Sequence, residues 1–207
     1  MTTIVLVRHG ENEWVKQHRL AGWLPDVHLN ANGRLQAQST AERLSHLDIA
    51  AIYSSPVERC METAVTIADS HQLPIQQVEA IGEVRYGKWE GEKIEQLAKK
   101  PSWKTVQYYP SRMEFPEGET LRAVQFRAIE ALEKLSEQHV GETIIIVSHA
   151  DLIKLVVAHY VGTHIDLFQR IIISPASISV ISLSADGGMR VVRVNDNGKI
   201  EKDRGQR

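Results

Sequence analysis

The sequence predicts an α/β fold, a three-layer α/β/α sandwich with a largely parallel central sheet. Six short apolar runs of strand type alternate along the chain with segments in which apolar residues recur at helical spacing. That alternation is typical of strands joined by crossover helices, so we expect helices on both faces of the sheet. Because no repeat or low-complexity block interrupts the pattern, residues 1–194 are predicted to form a single domain.

The predicted elements follow in chain order. The strand-like runs are residues 4–7, 50–53, 73–78, 143–147, 178–183 and 189–194. The helical segments are residues 31–46, 56–70, 92–99, 118–138 and 149–161. The last two strands are predicted to form a hairpin, since Asp186 and Gly187 between them are a strong turn signal. Residues 195–207 are polar and are expected to form a frayed or disordered tail.

The helix 56–70 has a recognisable N-terminus. Ser55 suits the N-cap, Pro56 suits the first helical position, and Glu58 would complete a capping box. Arg59 then lies in the first turn of the helix, at the carboxyl end of the preceding strand.

The helix 149–161 repeats this arrangement. Ser148 is predicted to be its N-cap, and Asp151 follows three residues later. His149 is thereby held at a helix N-terminus, where free backbone N–H groups favour anions.

The segment 99–118 is predicted to be a long loop. It contains three prolines and two tyrosines. Long loops in compact domains tend to carry function, so we expect this one to overhang the site at the end of the sheet.

Polar clusters follow three of the predicted strands directly. They are Arg-His-Gly-Glu at 8–11, the segment 54–59, and Ser-His-Ala-Asp at 148–151. In open α/β sheets, ligands bind beyond the carboxyl ends of the strands, so the clusters are expected to meet there. Two arginines and two histidines near helix N-termini make a site for a dianion such as phosphate. A neutral imidazole, whose ordinary pKa is about 6.5, can also carry a phosphoryl group covalently.

The composition limits the partners and the chemistry. A net charge of -2 without a basic stripe argues against a nucleic-acid or membrane partner. The single cysteine, Cys60, cannot form an internal disulfide or a two-cysteine metal site. The histidines other than His9 and His149 lack the spacing of metal ligands. With no signal peptide or anchor visible at the N-terminus, we expect a cytoplasmic protein that needs no metal or other cofactor.

Six short motifs, taken together and in this order, carry a family resemblance. They are VRHGE at 7–11, LAGWLPDVHLNANGRLQA at 20–37, YSSPVERCMETA at 53–64, EVRYGKWEG at 83–91, FPEGET at 115–120 and VSHA at 147–150. With them, the chain resembles the histidine phosphatase superfamily, the phosphoglycerate-mutase-like proteins. The resemblance implies that family's version of the α/β fold and a small phosphorylated metabolite as substrate.

The resemblance also implies a role for each residue that matches the motifs. His9 is expected to be the nucleophile that becomes phosphohistidine. Arg8, Arg59 and His149 are expected to clamp the phosphoryl oxygens through the transition state. Glu83 is expected to protonate the leaving oxygen and then to activate water.

Substrate contacts are less strongly indicated than the catalytic residues. The candidates are Asn12, Trp23, Tyr86 and Glu119. Trp23 and Tyr86 follow the motifs, although aromatic side chains also pack in cores. Two positions depart from the family pattern: Val15 stands where an asparagine often touches the phosphoryl group, and Ala21 replaces a frequent glutamine. Asn12 is a candidate to supply the lost amide.

The function predicted from these residues is a metal-independent phosphomonoesterase that works through phosphohistidine. One alternative is phosphoglycerate mutase-type transfer, in which the phosphoryl group returns to a product. Residues 92–118 contain scattered lysines but no adjacent arginine pair to retain a bisphosphate, which favours hydrolysis. Another alternative is a non-catalytic protein that only binds phosphorylated ligands. The sequence specifies neither the natural substrate nor the oligomeric state.

Overall fold

The strands of the computed structural model, which describes residues 1–184 and 186–198, form one mixed sheet. They are β1 (Thr2–Arg8), β2 (Ala51–Ser54), β3 (Ile75–Gln77), β4 (Thr143–Ser148), β5 (Ile178–Leu183) and β6 (Met189–Asp196). Their order across the sheet is β3-β2-β4-β1-β5-β6. The first four pair in parallel, whereas β5 is antiparallel to β1 and β6 is antiparallel to β5. The predicted, largely parallel sheet is therefore confirmed.

The α-helices in the described ranges lie on both faces of the sheet. They are α1 (Glu13–Lys16), α2 (Ala31–Leu44), α3 (Glu58–His71), α4 (Ile94–Leu97), α5 (Trp103–Tyr108), α6 (Leu121–Gln138) and α7 (Ala150–Tyr160). Short 3₁₀ segments occur at Glu79–Ile81, Gly87–Trp89, Pro110–Arg112 and Ile165–Arg170. None of the helices in these ranges is long and apolar enough to cross a membrane.

The core divides into two layers because neighbouring side chains of a strand point to opposite faces of the sheet. In β1, Ile4 and Leu6 pack into the cluster that includes residues of α6 and α7. Val5 and Val7 pack into the second cluster, with residues of α2 and α3. A central strand buried on both faces needs apolar residues at successive positions, which explains the uninterrupted apolar run. The three-layer sandwich is confirmed.

The prediction of a loop over residues 99–118 is wrong in part. The segment contains α5 and the 3₁₀ turn at Pro110–Arg112. Trp103 opens α5 and stacks on Trp89 with ring centroids 6.2 Å apart, while Phe115 is buried in the core. Long-range packing of these aromatic side chains accounts for helical structure that the prolines argued against.

The predicted helix caps are also wrong. α3 begins at Glu58 with Val57 as its N-cap, and α7 begins at Ala150 with His149 as its N-cap. Neither cap makes a side-chain hydrogen bond. Ser148 belongs to β4, and its hydroxyl donates to the Ile81 carbonyl at 2.7 Å.

The C-terminal hairpin is confirmed, and the second strand is longer than predicted. β5 and β6 pair antiparallel, and β6 continues through Asn195 and Asp196. Asp196 forms an ion pair with Arg43 at 2.9 Å, which ties this residue of the predicted tail to α2. Residues 199–207 of that tail lie outside the described residues.

Candidate active site

Three parallel strands end at the same edge of the sheet. β1 and β4 lie side by side with Arg8 opposite Ser148, and β2 pairs with the other side of β4 with Ser54 opposite Val147. The polar residues that follow these strands are therefore brought together, as the sequence predicted.

His9 follows β1 and is only 3% exposed. Its Nδ1 lies 2.7 Å from the Gly10 carbonyl oxygen. A carbonyl oxygen only accepts hydrogen bonds, so Nδ1 carries the ring proton and Nε2 keeps a lone pair. Burial, together with the positive charges of Arg59 and Arg8, holds the pKa of His9 well below its ordinary value. The ring is therefore neutral at neutral pH, the form in which an imidazole can act as a nucleophile.

Arg59 joins the two histidines of the site. It lies in the first turn of α3 and is 2% exposed. Its Nε donates to His9 Nε2 at 3.2 Å, and its Nη2 lies 3.1 Å from His149 Nδ1 and 2.9 Å from the Gly22 carbonyl oxygen. A single guanidinium thus sits against both imidazole rings.

His149 is completely buried, and its ring meets that of His9 edge to face with centroids 5.3 Å apart. Because Arg59 donates to Nδ1, the proton of the neutral ring is on Nε2, which donates to Ser55 Oγ at 2.8 Å. Burial and then the charge of Arg59 hold the pKa of His149 well below its ordinary value. The Ser55 hydroxyl, predicted to cap a helix, instead orients this histidine.

Glu83 approaches the same cluster from the segment that follows Glu79–Ile81. Its Oε2 lies 3.7 Å from His149 Nδ1, and its Oε1 accepts a hydrogen bond from the Val84 N–H at 3.0 Å. Burial and, next, the negative charge of Asp151 raise the pKa of Glu83 to about 7. A carboxyl group with this pKa exchanges a proton readily near neutral pH.

Three buried donors of this region have no hydrogen-bond partner among the residues that the structure describes. They are Arg8 Nε, Asn12 Nδ2 and Arg59 Nη1. Arg8 and Asn12 flank His9 in the chain, and Arg59 contacts it. Buried donors in native proteins are nearly always paired, so this set suits an anionic ligand with several oxygens.

The Asn12 amide is oriented by the protein. Its Oδ1 caps α1 by accepting the Val15 N–H at 2.8 Å, and the residue is 1% exposed. Nδ2 is left as the free end of the amide. At the position where the family often has an asparagine, Val15 contributes a backbone N–H to this cap.

The other predicted substrate contacts, Trp23, Tyr86 and Glu119, lie on the side of the site from which Glu83 enters. A cavity of about 210 Å³ is lined by Trp23, Glu79, Ala80, Arg85, Glu119 and Arg127. The Glu119 carboxylate is already paired with Arg127, at 2.8 Å. Tyr86 is 4% exposed, and its hydroxyl donates to Asp151 Oδ2 at 2.9 Å.

Ser55, Asp151 and Arg127 were not singled out as site residues by sequence reasoning. Ser55 and Asp151 carried signals for helix N-termini and not for a role in the site, and Arg127 carried none. Within residues 1–184 and 186–198, no group of three or more His, Cys, Asp and Glu side chains is arranged to hold a metal ion.

Comparisons with known proteins agree on one family. The family model of the histidine phosphatase superfamily (branch 1) matches residues 4–197. Phosphoserine phosphatase 1 of Hydrogenobacter thermophilus is 33% identical over 187 residues, which cover 88% of this chain and 87% of the relative. Phosphoglycerate mutase-like protein 4 of Arabidopsis thaliana is 35% identical over 156 residues, covering 73% and 67% of the two chains. The solved structure of Bacillus stearothermophilus YhfR superposes with a TM-score of 0.89 at 30% identity, covering 95% and 98%.

Proposed function

This chain belongs to branch 1 of the histidine phosphatase superfamily, an enzyme family of phosphatases and mutases, and we propose that it is a metal-independent phosphomonoesterase. Its substrate is a small phosphorylated metabolite, and the reaction passes through phosphohistidine at His9. The observation that carries this proposal is the state of His9: a neutral ring with the lone pair of Nε2 directed at the Arg59 guanidinium.

In the first step, His9 Nε2 attacks the phosphorus atom and the bond between phosphorus and the leaving oxygen breaks. The equatorial oxygens carry the charge of the transition state, and Arg8, Arg59 and His149 stabilise it, with the Asn12 amide as a further donor. A dianion beside His149 offsets the positive charge of Arg59 and so favours the protonated ring. Glu83 gives its proton to the leaving oxygen, since an alkoxide leaves poorly.

In the second step, the Glu83 carboxylate takes a proton from water. The water oxygen attacks phosphorus, the bond between Nε2 and phosphorus breaks, and the electron pair returns to His9. Inorganic phosphate leaves and Glu83 is again protonated. A pKa of about 7 suits both steps, because the same group must give a proton and then take one.

Local contacts of the basic residues in the segment before α6 support hydrolysis over the mutase alternative. A mutase must retain a bisphosphorylated intermediate, which requires a second cationic cluster. Lys99 contacts Glu95 at 3.3 Å, Lys100 Nζ lies 5.8 Å from the Trp89 ring centroid, and the Arg112 guanidinium lies 5.7 Å from that of Tyr109. Each of these cations contacts a different neighbouring side chain, so they do not form the cationic pair that a second phosphate would need. A protein that only binds phosphate would have no use for a protonatable Glu83.

Trapping of the intermediate tests the proposal. Incubation with a ³²P-labelled monoester and an alkaline quench should leave an acid-labile label on the parent protein, because phosphoramidates survive base. His9→Ala should abolish both label and turnover, while His46→Ala, at an exposed histidine, should change neither. Normal turnover by His9→Ala would falsify the mechanism. Label transfer back to a substrate alcohol in preference to water would instead support the mutase alternative.

A further inference from the structure

The backbone that carries Glu83 is held by side chains from distant parts of the chain. Trp23 Nε1 donates to the Glu83 carbonyl oxygen at 2.6 Å, and Arg127 Nη2 donates to the same oxygen at 2.9 Å. Glu83 lies outside any helix or strand, so its carbonyl receives no regular backbone hydrogen bond. The N–H groups of these two side chains take the place of the backbone hydrogen bond that a neighbouring strand would provide.

Arg127, on α6, binds two carbonyl groups of the segment that precedes Glu83. Its Nη1 donates to the carbonyl oxygens of Ala80 at 2.7 Å and Gly82 at 3.0 Å. Its remaining N–H groups go to Glu119, with Nε 2.8 Å from Oε1 and Nη2 2.9 Å from Oε2. All five N–H donors of the guanidinium are thereby used, and three of them bind the carbonyl oxygens of Ala80, Gly82 and Glu83.

Glu119 holds the backbone on the other side of Glu83. Its Oε2 accepts the Arg85 N–H at 2.9 Å, and its own N–H donates to the Arg85 carbonyl at 2.9 Å. Arg127 and Glu119 together therefore fix the chain both before and after Glu83.

Two glycines allow this arrangement. A Cβ at Gly118 would lie 2.2 Å from the Arg85 carbonyl oxygen. Gly87 has a φ of +53°, and a Cβ there would lie 2.1 Å from the Pro116 carbonyl oxygen. The motifs at 83–91 and 115–120 therefore pack backbone against backbone, which brings Glu119 to Arg85.

We propose that Arg127 and Glu119 are positioning residues that set the place of the Glu83 carboxyl group at the phosphoryl site. The inference rests on the proposed function, since it assigns Arg127 a role only through the acid. Within residues 1–184 and 186–198, neither residue forms a hydrogen bond or ion pair with His9, Arg59 or His149. A displacement of the acid of about 1 Å is enough to slow proton transfer greatly, so the clamp acts on both proton transfers of Glu83, to the leaving oxygen and from water.

The test compares substrates that differ in their need for an acid. Arg127→Lys keeps the charge but loses the planar fork that binds three carbonyls and a carboxylate. We expect its kcat/KM for alkyl phosphates, which reports formation of phosphohistidine and not its hydrolysis, to fall roughly 10–100-fold. Its kcat/KM for aryl phosphates, whose phenolate leaves unaided, should fall far less. Arg122→Lys, at an exposed arginine of the same helix, is the matched control and should behave as the parent.

Chemical rescue adds a measurement that a loss of stability does not produce. Arg127 lines the 210 Å³ cavity and its side chain is 21% exposed, so Arg127→Ala opens a space that solutes reach. Millimolar guanidinium should restore alkyl phosphate turnover in Arg127→Ala and leave the parent unchanged. Equal losses on both substrates in Arg127→Lys, or no rescue of Arg127→Ala, would overturn the positioning role.

Glu83→Gln, measured in parallel, separates the two proposals. If it loses alkyl activity selectively and Arg127→Lys does not, the positioning role alone is wrong. If Glu83→Gln itself loses both activities equally, Glu83 is not the acid, and the positioning role falls with that assignment.

Discussion

Replacing Glu83 by glutamine removes a buried acid whose pKa the fold raises to about 7, and the variant should gain stability above neutral pH. In the folded protein the carboxyl group holds its proton more tightly than in the unfolded chain, where its ordinary pKa is 4.5. Its stabilising contribution is therefore complete below pH 4.5 and is lost as the pH rises through about 7. Glutamine is neutral throughout and keeps the shape of the side chain.

The size of the effect follows from the two pKa values. One pKa unit corresponds to about 1.4 kcal/mol, so ionising Glu83 in its buried position costs the native state roughly 3 kcal/mol at pH 8. At pH 5 the loss is below about 1 kcal/mol, because this is only half a pH unit above the ordinary pKa of 4.5, at which ionisation of the unfolded chain begins to cost stability. The buried histidines contribute their own pH dependence, which is common to both proteins and cancels in the difference.

Urea unfolding of the parent and Glu83→Gln at pH 5 and pH 8 measures this difference. We expect the free energy of unfolding of the variant, relative to the parent, to increase by roughly 2–3 kcal/mol between the two pH values. Glu130→Gln, at an exposed position of α6, should show no such change. A relative stability of Glu83→Gln that is the same at both pH values would refute the account of Glu83 as a protonated, buried acid.

Three further predictions concern catalysis. Burial and then the negative charge of Asp151 raise the pKa of Glu83, so Asp151→Asn removes the second cause and should move the high-pH limb of kcat/KM for an alkyl phosphate about one pH unit lower; an unmoved limb would contradict this coupling. Ser55→Ala removes the acceptor of His149 Nε2 and should reduce kcat about 10-fold, whereas Ser39→Ala, at an exposed serine of α2, should not; equal rates would show that the Ser55 hydroxyl is dispensable. Chelator should leave phosphate release unchanged, and 2,3-bisphosphoglycerate should not stimulate it. A loss of activity in chelator that magnesium restores would contradict metal independence, and bisphosphate-dependent interconversion of phosphoglycerates would contradict hydrolysis as the main reaction.

The sheet and the meeting of its polar clusters were predictable from local patterns. The apolar runs of β1, β2 and β4 mark buried strands, and parallel strands place their carboxyl ends at one edge. Residues directly after these strands, such as His9 and His149, are therefore expected at the same edge. For this reason their meeting was predictable before any distance was known, although the strand order that makes them neighbours was not.

The protonation states of the site were not predictable from those patterns. The neutral form of His9, with its proton on Nδ1 and the lone pair on Nε2, depends on the Gly10 carbonyl and on the Arg59 Nε, whose orientations are set by packing. The raised pKa of Glu83 depends on burial and on Asp151 across the site. Composition and spacing report neither burial nor the direction of a hydrogen bond.

What the sequence determined by itself is the order of strands, helices and motifs, because each of these depends on residues close together in the chain. Ser55 shows the limit: its neighbours favour a helix cap, yet its hydroxyl binds His149, 94 positions away. Likewise, α5 forms where prolines suggested a loop, and Arg127 holds the carbonyl of Glu83, 44 positions away. Only the tertiary structure decided these contacts, because a side chain bonds to whatever group packing places within about 3 Å, and that group is often remote in sequence.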